Sequence, residues 1–144
     1  TDAKKEAVKD FKSTVEKAVD TRQATGDSAI EAFRTGVDSA LAGRKSEMES
    51  AVNSFDASVK SAVAKAKSDC DAGTAPETVR TNFRSAMEAA RTALKNDRTN
   101  ADKVKTQVQA LAETRRATIK KAMDDFKATM DTAKAELKKA FGEK

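Results

Sequence analysis

Few side chains in this sequence are suited to chemistry, and Cys70 is the most reactive type among them. It is the only cysteine in the chain, and it stands between Asp69 and Asp71 near the predicted end of a helix. Neighbouring carboxylates and the negative end of the helix dipole disfavour the thiolate, which is the nucleophilic form. We therefore interpret Cys70 as a residue of the apolar seam defined below. An unpaired cysteine also leaves open a disulfide between subunits.

Acid–base and metal chemistry lack the residues they need. The sequence has no His, which serves as a general base near neutral pH and as a metal ligand, and it has no Tyr. The pair Asp124–Asp125 and the carboxylates of Asp69 and Asp71 do not follow the ligand spacing of a calcium-binding loop. The sequence therefore predicts no catalytic residue, no cofactor and no metal site. We expect neither enzymatic activity nor a small-molecule substrate.

Basic residues are concentrated in the second half of the chain. Residues 1–73 carry 12 basic and 13 acidic side chains, whereas residues 74–144 carry 16 and 10. One predicted helical face there forms a basic stripe: Arg80, Arg84, Arg91, Lys95 and Arg98. Such a stripe suits an anionic surface or the more acidic arm of another copy. Because no nucleic-acid-binding motif is present and no aromatic residues interleave with the stripe, a nucleic acid is not the expected partner.

A 22-residue repeat determines where these side chains are placed. Residues 7–19 read AVKDFKSTVEKAV, residues 29–41 read AIEAFRTGVDSAL, and residues 51–63 read AVNSFDASVKSAV. The pattern returns less regularly after residue 75. Its large apolar positions define the seam, through which we expect assembly: Phe11, Val15, Phe33, Val37, Phe55, Val59, Phe83, Met87, Phe126 and Met130.

The period of the repeat is typical of a long amphipathic helix. Each repeat comprises two hendecads, and six turns per repeat give about 3.67 residues per turn, which keeps an apolar stripe nearly straight along a helix. Intervals of three and four residues within each unit place the apolar side chains on one face. The sequence therefore predicts an all-α, coiled-coil-like fold with hendecad-type (11/22-residue) repeats.

The phase of the repeat predicts a long antiparallel helical hairpin, a single elongated domain over residues 1–144. Arm one is predicted over residues 2–72, the turn over 72–75 and arm two over 75–142. In the turn, Gly73 suits a left-handed residue after a helix, Thr74 and Glu77 form a capping box, and Pro76 lies in the first turn of the next helix.

Two further segments leave an alternative fold open. Gly26 and the polar run Asn96–Asn100 are candidate helix breaks, and breaks at both would give a three- or four-helix bundle. The step from Phe83 to Phe126 is one residue shorter than a whole number of hendecads, which indicates a kink or local overwinding near residues 96–100.

The width of the apolar stripe predicts association. Adjacent apolar pairs such as Ala18–Val19 and Ala62–Val63 make it broader than a two-helix contact needs, so we expect a homo-oligomer or polymer: a spacer, scaffold, surface or filament subunit. In length alone the repeats resemble those of exchangeable apolipoproteins, which implies binding to lipid surfaces as the alternative. This chain lacks proline between its units. It begins at Thr1, which favours an extracellular or cell-surface location after removal of a signal peptide.

Overall fold

The protein is helical throughout the part of the chain that the structure describes. The computed structural model describes residues 2–142, and Thr1, on which the predicted location rests, lies outside them. Three helices follow one another: α1 (Asp2–Asp71), α2 (Pro76–Ala101) and α3 (Val104–Phe141). No strand occurs within residues 2–142. The predicted all-α, hairpin-like fold is confirmed.

Helix α1 continues for 70 residues without interruption. It passes through Gly26 in helical conformation, so the alternative break at that residue is wrong. Ala and straight-chain charged residues dominate this segment and lose little side-chain entropy in a helix. Three interior glycines, each costing roughly 0.5–1 kcal/mol relative to Ala, are too few to end it.

The turn between α1 and α2 closes with a Schellman motif. Gly73 has a φ of 74°, as predicted. Its N–H donates to the carbonyl of Cys70 at 3.0 Å, and the N–H of Thr74 donates to the carbonyl of Asp69 at 2.9 Å. These two bonds satisfy carbonyls that the end of a helix leaves unpaired.

The start of α2 differs from the predicted capping box. Pro76 occupies the first turn as expected, but the N-cap residue is Ala75, which makes no side-chain cap hydrogen bond. The backbone N–H of Thr74 is already used in the Schellman motif, and proline forces the residue before it into extended conformation. Ala75 accordingly has φ −54° and ψ 131°, and the helix begins one residue later than a Thr74 cap would allow.

The second arm is interrupted at Asp102–Lys103 rather than within Asn96–Asn100, which is helical throughout. The N–H of Lys103 donates to the carbonyl of Asn100 at 3.2 Å, a bond that spans three residues instead of four. A three-residue bond winds the chain more tightly than an α-helix. The regular pattern returns with the bond from Gln107 to Lys103 at 3.1 Å. The irregularity is local overwinding, although its predicted position was wrong.

Two compact units make up the chain. Unit 1 joins residues up to Val37 with residues from Gln109 onward, and unit 2 comprises Asp38–Val108. In unit 1 the first half of α1 packs antiparallel to α3. In unit 2 the second half of α1 packs antiparallel to α2, and the turn at Gly73 joins them.

The buried residues of the helices are small and regularly spaced. They are Ala29, Ala51 and Ala62 in α1, Val79, Ala90 and Ala101 in α2, and Ala122 and Ala133 in α3. Successive members within one helix are separated by one or two whole hendecads. The step from Ala101 to Ala122 falls one residue short of two hendecads, and the overwound turn lies between them. Small side chains at the contact let two helix backbones approach closely.

Gly36 is a specific example of close approach within unit 1. The Cδ1 and Cδ2 atoms of Leu111 lie 2.8 Å from the position that a Cβ atom on Gly36 would occupy. A Cβ atom on Gly26 or on Gly43 would have no neighbouring atom within 4 Å. Leu111 therefore fills the space that the missing side chain of Gly36 leaves.

This difference predicts opposite effects for the same substitution. Gly26→Ala and Gly43→Ala should each raise the free energy of unfolding by about 0.5–1 kcal/mol, because alanine favours the helix. Gly36→Ala should be less stable than these two variants by roughly 1–3 kcal/mol, because Leu111 must move. Urea denaturation followed by circular dichroism measures all three. An increase in the free energy of unfolding for Gly36→Ala equal to that of the other two variants would contradict the contact between Gly36 and Leu111.

Candidate interaction surface

The predicted seam lies along the helix contacts, but its large side chains are not the buried ones. Phe83 is 36% exposed. The other nine are half-buried: Phe11, Val15, Phe33, Val37, Phe55, Val59, Met87, Phe126 and Met130. The buried positions are seven alanines and Val79. The seam residues therefore surround the helix contact and keep part of their surface accessible.

Cation–π contacts cover three of the rings in unit 1. The guanidinium carbon of Arg115 lies 4.4 Å from the ring centroid of Phe33, and that of Arg22 lies 4.5 Å from the ring centroid of Phe126. Lys4 Nζ lies 5.1 Å from the ring centroid of Phe141. Such contacts contribute about 0.5–1 kcal/mol where exposed and about 2 kcal/mol where desolvated. In unit 1, arginines occupy space that a buried core would give to apolar side chains.

The sequence contains the signal for these contacts, which the prediction of a purely apolar seam missed. Along α1 the equivalent position of successive hendecads alternates between Phe and Arg: Phe11, Arg22, Phe33, Arg44 and Phe55. In unit 2, Arg44 makes an ion pair with Asp102, with Nη2 3.4 Å from Oδ1. Arginine at every second hendecad is consistent with a polar partner on the opposite helix, but the sequence alone does not identify that partner.

A second line of large apolar residues on α1 is exposed at every member except Val19, which is half-buried. We name it the aliphatic row: Val8, Val19, Ile30, Leu41, Val52 and Val63. Each member directly follows an alanine of the helix contact, and one member occurs in every hendecad. Within unit 2, Leu41 is 50% exposed, Val52 54% and Val63 53%. Exposed apolar surface this regular is typical of an interaction site.

All five residues of the predicted basic stripe are exposed and lie in unit 2. Arg80 Nη1 is 3.3 Å from Glu77 Oε2, and Arg91 Nη1 is 4.0 Å from Glu88 Oε2. Within residues 2–142 no ion pair involves Arg84, Lys95 or Arg98. Exposed pairs of this kind contribute at most about 1 kcal/mol each. The stripe keeps a net positive charge on this side of α2.

The structure brings the basic stripe next to apolar residues of α1. Val63 and Phe83 line an open apolar groove of about 530 Å³, together with Arg80 and Cys70. A second hollow of about 300 Å³ has Phe55 and Leu94 beside the last three stripe residues, Arg91, Lys95 and Arg98. The exposed thiol of Cys70 therefore faces a groove of the surface.

Several carboxylates pair with lysines along their own helices. Lys65 Nζ lies 3.0 Å from both carboxylate oxygens of Asp69. Lys120 and Lys121 pair with Asp124 and Asp125 at 2.5 and 2.6 Å. No group of three or more His, Cys, Asp or Glu residues within residues 2–142 is arranged to hold a metal ion.

One lysine of unit 2 has a shifted pKa. Lys60 Nζ lies 2.6 Å from Asp56 Oδ2. The hydrogen bond to Asp56, and secondarily its negative charge, raise the pKa of the Lys60 ammonium group above its usual value. Asp56 is thereby neutralised by a residue of its own helix.

A groove of about 430 Å³ on unit 1 is lined by five threonines, including Thr25, Thr118 and Thr129, and by charged residues. No sequence motif predicted it. Three of the hydroxyls donate to carbonyls four residues earlier in their own helices, at 2.8 to 3.0 Å. Among the charged residues of the groove, Lys121 pairs with Asp125 and Arg22 covers the ring of Phe126, so these three groups already have partners within unit 1.

Comparison with known proteins identifies no relative. No protein-family model, no curated protein and no solved structure matches the chain. Within residues 2–142, none of the helices has an apolar stretch long enough to cross a membrane.

The cation–π contact of unit 1 can be measured directly. Phe33→Ala should lower the free energy of unfolding by about 1–3 kcal/mol, because the ring is only half-buried and an arginine covers one face. In a double-mutant cycle with Arg115→Ala, the coupling energy should be about 0.5–1 kcal/mol. The neighbouring exposed Arg116→Ala is the control and should show no coupling to Phe33. Equal coupling for both arginines would exclude a specific contact.

Proposed function

We propose that the protein is a structural, self-assembling helical protein, a spacer, scaffold, surface or filament subunit that associates with copies of itself. The observation that carries this proposal is the aliphatic row of α1. Antiparallel pairing within each unit buries the alanines and leaves the row accessible. A second copy would remove this apolar surface from water, which favours association.

The spacing of the row supports ordered association. Its members recur once per hendecad, about 16.5 Å along a helix. At about 3.67 residues per turn the row stays on one side of α1 with only a weak right-handed drift. We therefore interpret the seam and the row as parts of a hendecad-type coiled coil. Further helices would pack on it at staggered positions separated by whole repeats.

In this proposal, the charge distribution determines which helices of two copies contact each other. α2 presents the basic stripe, whereas the first half of the sequence has a slight acidic excess. Contact between α2 of one copy and α1 of another would place unlike charges closer than contact between two copies of α2. No catalytic role is assigned to any residue, and no cofactor is required.

Sedimentation velocity over a range of concentrations tests the proposal in unit 2. The wild-type protein should form oligomers as concentration rises. The triple variant Leu41→Glu, Val52→Glu, Val63→Glu should remain a monomer, because charges on the row oppose its burial. Circular dichroism checks that the variant stays helical.

The matched control carries the same three charges elsewhere on α1. Ser39, Ser50 and Ser61 are exposed, have the same hendecad spacing, and each lies two residues before a member of the row. The triple change of these serines to Glu should leave self-association intact. A monomeric wild-type protein at high concentration, or equal loss in both variants, would contradict assembly through the row.

A further inference from the structure

We propose that unit 2 also binds anionic lipid surfaces, through the aliphatic row of α1 and the basic stripe of α2 together. This function uses the same aliphatic row as self-association and rests in addition on a different observation, the charge around the exposed apolar residues. Leu41, Val52 and Val63 provide apolar side chains that are about half exposed. The stripe residues are all exposed, and every one of them except Arg84 lines one of the two hollows that these helices form.

Apolar and basic side chains share one side of unit 2. Val63 and Arg80 line the same groove, and because positions one hendecad apart occupy nearly the same angle on a helix, Val52 and Arg91 lie on that side too. Arg84 and Lys95 each follow a stripe residue by four positions, so they border the same face. The aliphatic row thus runs beside a line of cations.

The other edge of the aliphatic row is also mainly basic. Four residues after Leu41 and Val63 come Lys45 and Lys67, both exposed, and Lys45 pairs with Glu49 at 3.9 Å. The residue four positions after Val52 is Asp56, which pairs with Lys60. Lysine and arginine have long apolar stems that lie along an apolar surface while their charges reach outward. Basic residues on both edges of an apolar row favour a ligand that is apolar inside and anionic at its surface.

The carboxylates of this side weaken the positive field only in part. Glu77 and Glu88 pair with Arg80 and Arg91, and Asp102 pairs with Arg44. Within residues 2–142, Lys67, Arg84, Lys95 and Arg98 have no such pairing. These four cations are therefore available to lipid phosphates, and each basic residue near an anionic bilayer strengthens binding about fivefold.

An anionic bilayer fits these observations better than a nucleic acid. A bilayer contributes acyl chains for the aliphatic row as well as phosphates for the stripe, whereas a nucleic acid would leave Leu41, Val52 and Val63 without an apolar partner. The hollow lined by Arg91, Lys95 and Arg98 is also lined by Asp102, whose carboxylate opposes recognition of a single phosphate group there. Shallow binding at the headgroup level is what valine and leucine side chains allow.

Vesicle cosedimentation tests the inference. The wild-type protein should bind vesicles made of equal parts phosphatidylglycerol and phosphatidylcholine, and should not bind vesicles of phosphatidylcholine alone. Arg84→Gln, Lys95→Gln, Arg98→Gln combined should weaken binding about 100-fold, because three cations are lost. The charge-matched control, Lys120→Gln, Lys121→Gln, Lys139→Gln, changes exposed lysines of unit 1 and should weaken binding less than tenfold.

Two further arms separate the sources of binding. The double variant Val52→Ser, Val63→Ser should weaken vesicle binding but leave the affinity for a single-stranded oligonucleotide unchanged. The oligonucleotide would contact only the basic residues and not the aliphatic row. Sedimentation of the Gln variant without vesicles shows whether self-association survives, so failure of this inference is distinguishable from failure of assembly. Absence of binding to phosphatidylglycerol, equal loss in both Gln variants, or tighter binding to the oligonucleotide than to vesicles would overturn the proposal.

Discussion

Close packing of small side chains is the constraint on which the rest of the structure depends. In each unit, two helices meet at alanines that recur with the hendecad period, and Ala51 is only 3% exposed at such a contact. Alanine contributes little apolar area of its own, but it allows the helix backbones to approach closely. Larger residues are consequently displaced to the sides of the contact. Half-buried phenylalanines, arginines over their rings and an exposed aliphatic row all follow from this arrangement.

The same arrangement explains why the surface is apolar and charged at once. A side chain beside an alanine contact lies outside the area that the two helices bury. Because such side chains recur at regular intervals, they form a continuous strip and not isolated exposed residues. On α1 these positions are valine, isoleucine and leucine, whereas α2 has arginine at the corresponding positions, such as Arg80 and Arg91. The pair of helices therefore presents a surface with an apolar strip and a basic strip. The proposed assembly and the proposed binding to an anionic surface would each cover it.

Much of the fold was predictable because the spacing of the repeat shows whether a helix continues without insertion over many turns. The unbroken step from Phe11 to Phe55 predicted that α1 continues through Gly26, and the glycine and proline of the turn predicted where it ends. The phase shift between Phe83 and Phe126 predicted an irregularity, but its position depended on backbone hydrogen bonds near Lys103. The predicted capping box was wrong because the backbone N–H of Thr74 already donates to the carbonyl of Asp69 in the turn. The burial of the phenylalanine rings and their pairing with arginines could not be predicted, because both depend on which residues face each other across two helices. The periodicity of a single helix does not contain that information.

Thiol labelling of adjacent positions tests the central claim most directly. In a Cys70→Ser background, Ala51→Cys and Val52→Cys place a thiol first at the helix contact and then on the aliphatic row. At low protein concentration, we expect the thiol at position 52 to react with a soluble reagent at nearly the rate of a free cysteine, and the thiol at position 51 to react much more slowly. Raising the protein concentration should then slow the reaction at position 52. Equal rates at the two positions would contradict alanine-mediated packing and the exposed row together.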